Sequence, residues 1–172
     1  MERVSILGMG NVLMGDDGAG PYAAAVLAAG YVLPENVTVQ DIGTPGLDLA
    51  PFMADADTLM LLDTVLSDAP AGSIRTYDKA TLSQCKLQLR LSPHDPALGQ
   101  CLTTLEMAGC APRDLLLVGI VPERTQLGTG LSESVQNAIP VAVARVVAEL
   151  HTRGIHLEEL ETPGQPDIWW EQ

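Results

Sequence analysis

Three stretches of this chain carry side chains with chemistry to offer. The first is the loop Gly8-Met9-Gly10-Asn11-Val12-Leu13-Met14-Gly15-Asp16-Asp17-Gly18-Ala19-Gly20, which follows the apolar run Arg3–Leu7 and sets two carboxylates side by side among glycines. Asp63 closes the apolar run Thr58-Leu59-Met60-Leu61-Leu62-Asp63, and His94 stands in Ser92-Pro93-His94-Asp95-Pro96. Asp16, Asp63 and His94, from three separate segments, make a suitable ligand set for a divalent transition metal with positions left for water or substrate. No local spacing such as His-Glu-x-x-His joins them, so only a fold can bring them together.

Each of these residues also has an ordinary structural reading. Asp16 or Asp17 could cap the following helix, where a carboxylate satisfies orphan amide hydrogens and suits the helix dipole. One cap needs one carboxylate, which leaves the other of the pair unexplained. Asp63 could serve a turn, and His94 could cap or line a loop. His151 and His156 fall at the end of the last helical pattern and beyond it, where solvated histidines are expected.

The loop is not a nucleotide fingerprint. Gly-x-Gly-x-x-Gly needs a third glycine where this chain has Leu13, two aspartates would face the pyrophosphate, and no Gly-Lys-Ser/Thr follows. Cys110 follows Gly109 but has no basic neighbour to activate it, so Cys85, Cys101 and Cys110 read as unreactive thiols in a reducing cytoplasm.

The elements that must position these residues alternate in type, as in a sheet built with parallel crossovers. Arg3–Leu7 is the first expected strand, and Pro21–Ala29 a helix with Pro in its first turn and Gly30 as its stop. Val37–Asp41, Thr58–Asp63, Ser73–Tyr77 and Leu115–Ile120 read as strands, the third of these as an edge. Short or longer helices are expected over Leu47–Met53, from Ser92 to about Met107, and through Val135, Ile139, Val143, Val146, Val147 and Leu150. Pro140 should kink that last helix or mark its start. In such a sheet the loops leaving the C-terminal ends of the strands meet at one crevice; Asp16 leaves the first such loop, Asp63 closes its strand and His94 sits in the loop before the next helix. After Gly154 the pattern dissolves, and residues 155–172 read as a mobile tail, or else as a tail that docks through Trp169 and Trp170.

Composition narrows the classes. The 172 residues suit one domain, and 47% apolar but only 3% aromatic content requires a core of Leu, Val, Ile, Ala and Met. A net charge of −13 argues against nucleic acid and anionic membranes as partners, since no basic stripe exists to displace their counterions. The N-terminus lacks the succession of a secretory signal, and no apolar run approaches the ~20 residues of a membrane helix. A soluble cytoplasmic protein is expected.

With these residues in view, the loop Gly8-x-Gly10-Asn11-x-Leu13-x-x-Asp16-Asp17-Gly18-x-Gly20 resembles the signature of the hydrogenase maturation endopeptidases, which process the large subunit of nickel–iron hydrogenases. Asp41-Ile42-Gly43-Thr44-Pro45-Gly46, Leu61-Leu62-Asp63-Thr64-Val65 and Leu91-Ser92-Pro93-His94 are similar to the family's second, third and histidine motifs. Leu117–Glu123 followed by Gly130-Leu131-Ser132 completes the pattern in the right order, from about Arg3 to Gly154.

The resemblance implies a three-layer α/β fold in which a twisted, mostly parallel five-stranded sheet lies between helices. It implies a monomeric peptidase domain over residues 1–154, with the tail outside it. It assigns metal binding and catalysis to Asp16, Asp63 and His94. The metal is a nickel ion borne by the substrate, a large-subunit precursor that loses its C-terminal extension after nickel insertion. Asp41, Gly43 and Thr44 are expected to bind the extended peptide, although a turn demanded only by chain geometry explains them equally well. The rival reading is a nickel-dependent chaperone that recognises the immature subunit without cutting it.

Overall fold

A computed structural model of the chain describes residues 1–54, 56–84 and 95–171; the expectations placed on Cys85 and on His94 with its motif lie outside them. The first apolar run becomes β1 (Val4–Met9), buried at every position. It passes through a 3-10 turn (Gly15–Gly18) into α1 (Ala19–Gly30), then β2 (Tyr31–Val32) and β3 (Val37–Gly43). A second 3-10 turn (Gly46–Leu49) and α2 (Ala50–Met53) lead to β4 (Thr58–Thr64), again buried throughout. Then come β5 (Ile74–Asp78), α3 (Lys79–Gln84), α4 (Asp95–Ala108), β6 (Asp114–Ile120), α5 (Glu133–Thr152) and β7 (Glu158–Glu159).

Five strands form one sheet in the order β3-β1-β4-β6-β5, parallel except for β5, which runs antiparallel to β6 at the edge. Central strands covered on both faces are apolar at consecutive positions rather than alternating, and β4 shows how this works. Met60 and Leu62 enter the core beneath α1 and α5, while Leu59 and Leu61 enter the core beneath α2 and α4. The first core takes Ala23 and Leu27 of α1 with Val135, Ile139, Ala142, Val146 and Leu150 of α5. The second takes Met53 of α2 with Leu98, Cys101, Leu102 and Leu105 of α4, a helical stripe at the expected spacing. The three-layer, mostly parallel five-stranded sheet is therefore as expected.

Chain order creates the crevice. From β1 the chain goes to β3 on one side, then crosses back to β4 on the other. The loops leaving β1 and β4 thus part in opposite directions, the switch point at which such sheets bind ligands. Two glycines set α1 hard against this point. A side chain at Gly8 would begin 2.6 Å from the Gly20 carbonyl oxygen, and one at Gly20 would begin 2.2 Å from the carbonyl oxygens of both Met9 and Leu62.

The structure decides two readings that the sequence left open. The segment after Gly154 is seated on the domain: β7 pairs antiparallel with β2, Leu160 N donates to Gly30 O (2.9 Å) and Gly164 N to Ala29 O (2.8 Å). These two bonds satisfy carbonyls at the end of α1 that have no partner within the helix. Trp170 is buried against Tyr22, with ring centroids 5.1 Å apart, and Tyr22 Oη donates to Glu171 Oε1. Likewise, Pro140 is not the start of the last helix. α5 begins at Glu133, capped by Ser132 Oγ accepting from Val135 N, and runs through Pro140. Both Pro140 and Gln136 are exposed, so the carbonyl that loses its partner faces water. Among the described residues no helix is long and apolar enough to cross a membrane.

Candidate active site

Glycines shape the first loop. Gly10 takes φ +141°, and a side chain there would begin 1.8 Å from the Asp17 carbonyl oxygen, so the chain can fold back on itself only with glycine. Gly15, at φ +58°, then opens the 3-10 turn that carries Asp16 and Asp17. Successive residues of a 3-10 turn point about 120° apart, and the two carboxylates go to different places. Neither caps α1, whose N-cap Gly18 makes no side-chain bond.

Asp16 is completely buried and faces the loop after β6. Its Oδ2 accepts from Glu123 N (2.8 Å), Arg124 N (2.9 Å) and Ser132 Oγ (2.9 Å), and its Oδ1 from Ser132 N (2.6 Å). Asp16 N also donates to Arg124 O (3.0 Å). This carboxylate is the fastener between the β1 loop and residues 123–132, which corrects the expectation of an open ligand position: four donors fill the lone-pair directions a metal would need.

Asp17, also buried, turns the other way, toward the end of β4. Its Oδ2 accepts from Asn11 N (2.9 Å) and its Oδ1 from Thr64 Oγ1 (3.2 Å). Asp63, 2% exposed, accepts at Oδ1 from Thr64 N (2.7 Å). Thr64 therefore bonds to both carboxylates, its hydroxyl to Asp17 of the β1 loop and its amide to Asp63 at the end of β4, at the switch point. Of the three expected ligands, Asp63 shares Thr64 with Asp17, Asp16 is held by residues 123–132, and His94 lies outside the described residues. Among those described residues no group of three Asp, Glu, His or Cys stands ready to hold a metal.

The third loop joins the same edge. Gly43 O accepts from Gly10 N (2.9 Å), and Asp41 Oδ1 accepts from Gly43 N (2.9 Å), closing a tight turn at φ +56°. Asp41 thus serves the turn, while Thr44 stands beside it. His151 and His156 stack edge to face, 4.5 Å between centroids, at the far end of α5. At that same end Arg153 bridges Glu2, Asp114 and Glu149. Partial burial alone would lower the Arg153 pKa, but the hydrogen bond to Asp114 and the charges of Asp114, Glu149 and Glu2 outweigh it and push it up. This ion-pair cluster lies at the N-terminal edge of the strands, and Asp16, Asp17 and Asp63 at the C-terminal edge.

Sequence reasoning missed Asp17's partnership with Thr64 and the donors on residues 123, 124 and 132. The doublet Asp16-Asp17, with one carboxylate left over from any single role, was the available signal.

Known proteins resemble this chain over most of its length. The family profile described as hydrogenase maturation protease matches residues 21–149. The chain is 32% identical over 155 residues to the hydrogenase 2 maturation protease of Escherichia coli K12, covering 89% of this chain and 93% of that one. It is also 32% identical to the hydrogenase expression/formation protein HupD of Rhodobacter capsulatus, over 91% of this chain and 75% of the relative. The solved structure of the hydrogenase maturating endopeptidase HybD from E. coli superposes with a TM-score of 0.85 at 30% identity, over 91% of this chain and 97% of that one. The nickel–iron hydrogenase maturation protease HybD from Thermococcus kodakarensis gives a TM-score of 0.70 at 28% identity, over 86% and 98%.

Proposed function

The chain belongs to the hydrogenase maturation protease family, and from that premise we propose that it removes the C-terminal extension of a nickel–iron hydrogenase large-subunit precursor once nickel has been inserted. It is a peptide-bond hydrolase, which sets aside the chaperone reading. The nickel is part of the substrate, recognised rather than kept.

The observation that carries the reading is the meeting of Asp17 and Asp63 on Thr64 at the sheet's switch point. We assign the contacts to substrate nickel to these two carboxylates and to the imidazole of His94. Asp16 holds the loop that presents Asp17. Oxygen and nitrogen donors of this kind suit an ion whose other positions are filled by the precursor's own groups. The bound ion then fixes one peptide bond in the crevice and polarises its carbonyl. A carboxylate beside it takes a proton from the attacking water and returns it to the leaving amine. The turn at Asp41 and Gly43, with Thr44 beside it, offers the extended substrate backbone amides and a hydroxyl. The protein acts on its partner as a monomer in the cytoplasm.

Incubating the pure protein with nickel-loaded precursor and weighing the product tests this. The expected result is loss of the extension's mass, with Asp17→Ala, Asp63→Ala and His94→Ala folded but leaving the precursor whole. A precursor of unchanged mass after incubation with wild-type protein overturns the proposal.

A further inference from the structure

Two of the three exposed leucines among the described residues flank one backbone bridge. Leu13, in the β1 loop, is 51% exposed, and Leu127, in the loop after β6, is 85% exposed. Neither is there because its backbone is loose. Leu13 N donates to Asn11 Oδ1 (3.0 Å), and Leu13 O accepts from Gly128 N (2.8 Å). Gly15 N returns a bond to Gly128 O (2.8 Å), which makes Met14 and Gly128 a parallel bridge. Leu13 and Leu127 occupy equivalent places, one residue before that bridge on each of the two loops. The Asp16 carboxylate fastens both loops from below through residues 123, 124 and 132.

We propose that this bridged pair of loops is a rigid apolar lip on which Leu13 and Leu127 seat apolar side chains of the substrate next to the bond that is cut. The inference rests on the reading of the chain as a precursor-processing peptidase. Its occupant follows from continuity with the crevice: Leu13 and Asp17 stand four residues apart on the same loop, so a substrate held at Asp17 lies next to the lip. A single leucine on a surface needs no explanation, but two held in register by a backbone bridge, at the rim of a peptidase crevice, form a preorganised contact. Rigid presentation lowers the ordering cost that a mobile loop would add on binding.

The expected signature is a loss of binding without a loss of chemistry, because contacts made equally in the bound and transition states act on KM alone. With nickel-loaded precursor, Leu13→Ala and Leu127→Ala should each raise KM, and the directly measured Kd, about tenfold. The turnover at saturation should stay within about twofold and the melting temperature should not move. Met107→Ala serves as the control, since Met107 is 86% exposed at the far end of α4. The proposal is overturned if KM and Kd stay put, if kcat falls instead, or if Met107→Ala has the same effect. Should wild-type protein bind the precursor without cutting it, the peptidase assignment falls, and the Kd values of the leucine variants still decide the lip.

Discussion

Replacing Asp16 by Asn separates the two roles a carboxylate at this position can have. The side chain keeps its shape and loses its charge. With its amide oxygen at the Oδ2 place, the substituted side chain would still accept from Glu123 N, Arg124 N and Ser132 Oγ. Its NH2 would face Ser132 N–H at the Oδ1 place, now 2.6 Å from a second donor. One charge-assisted bond becomes a donor–donor clash, and three become neutral bonds. Hydrogen bonds to a charged group contribute about 1.5–3 kcal/mol each, and a neutral bond about 1. The full sum overshoots, because Arg124 is exposed and water reaches a loosened loop. A loss of about 2–4 kcal/mol is expected, a fall of roughly 5–15 °C in a chain of this length. Urea denaturation and thermal melting measure it, alongside precursor trimming at a temperature where the variant is folded. The reasoning is refuted if Asp16→Asn melts with wild type while trimming disappears, since that places Asp16 at the reacting centre and not in the framework.

Other consequences are as direct. Trp170→Ala should cost about 3 kcal/mol by opening the contact with Tyr22, read from the urea midpoint; a change under about 0.5 kcal/mol would mean that the tail adds nothing. Gly20→Ala should destabilise by about 3 kcal/mol or more, because the backbone oxygens 2.2 Å from the new atom cannot yield. Gly30→Ala, with nothing within 4 Å, should instead stabilise by about 0.5–1 kcal/mol; calorimetry on the pair checks the contrast, and equal effects would contradict it. The Asp57 carboxyl is held below its ordinary pKa by the hydrogen bond from Arg3 N, opposed by desolvation and aided by the charges of Arg113 and Arg3. A lowered folded pKa gives stability that is present above the unfolded carboxylate value of about 4 and is lost as pH falls through the folded value. Asp57→Asn should therefore be less stable than wild type near neutrality and should converge with it in acid; a gap independent of pH would exclude this cause.

Much of the fold was legible because its signals are local. Runs such as Thr58–Asp63 are apolar at almost every position, and their strands emerge within a residue or two of the expected bounds. The stripe Leu98, Cys101, Leu102 and Leu105 announces a half-buried helix in the same way. The switch point, and with it the location of the crevice, follows from strand order. Which member of the doublet enters that crevice does not. Asp16 and Asp17 differ by one step of a 3-10 turn, and their roles are assigned by donors 107 to 116 residues away and by Thr64. No periodicity encodes such partners. The tail was equally hard to read, since β2 and β7 are two residues long and a two-residue strand has no pattern to detect. Trp170 and Tyr22 find each other only in the folded domain.

The Asp16 clamp also sets a timetable. Its donors lie beyond β6, so on a chain emerging from the ribosome the first strand and helix are finished long before that carboxylate has anything to hold. Until the last third of the polypeptide arrives, Asp16 has none of these donors, and the turn carrying Asp17 rests on the bonds from Asn11 and Thr64. A chain cut short before Glu123 would therefore carry its first loop without the tie that joins it to the end of β6.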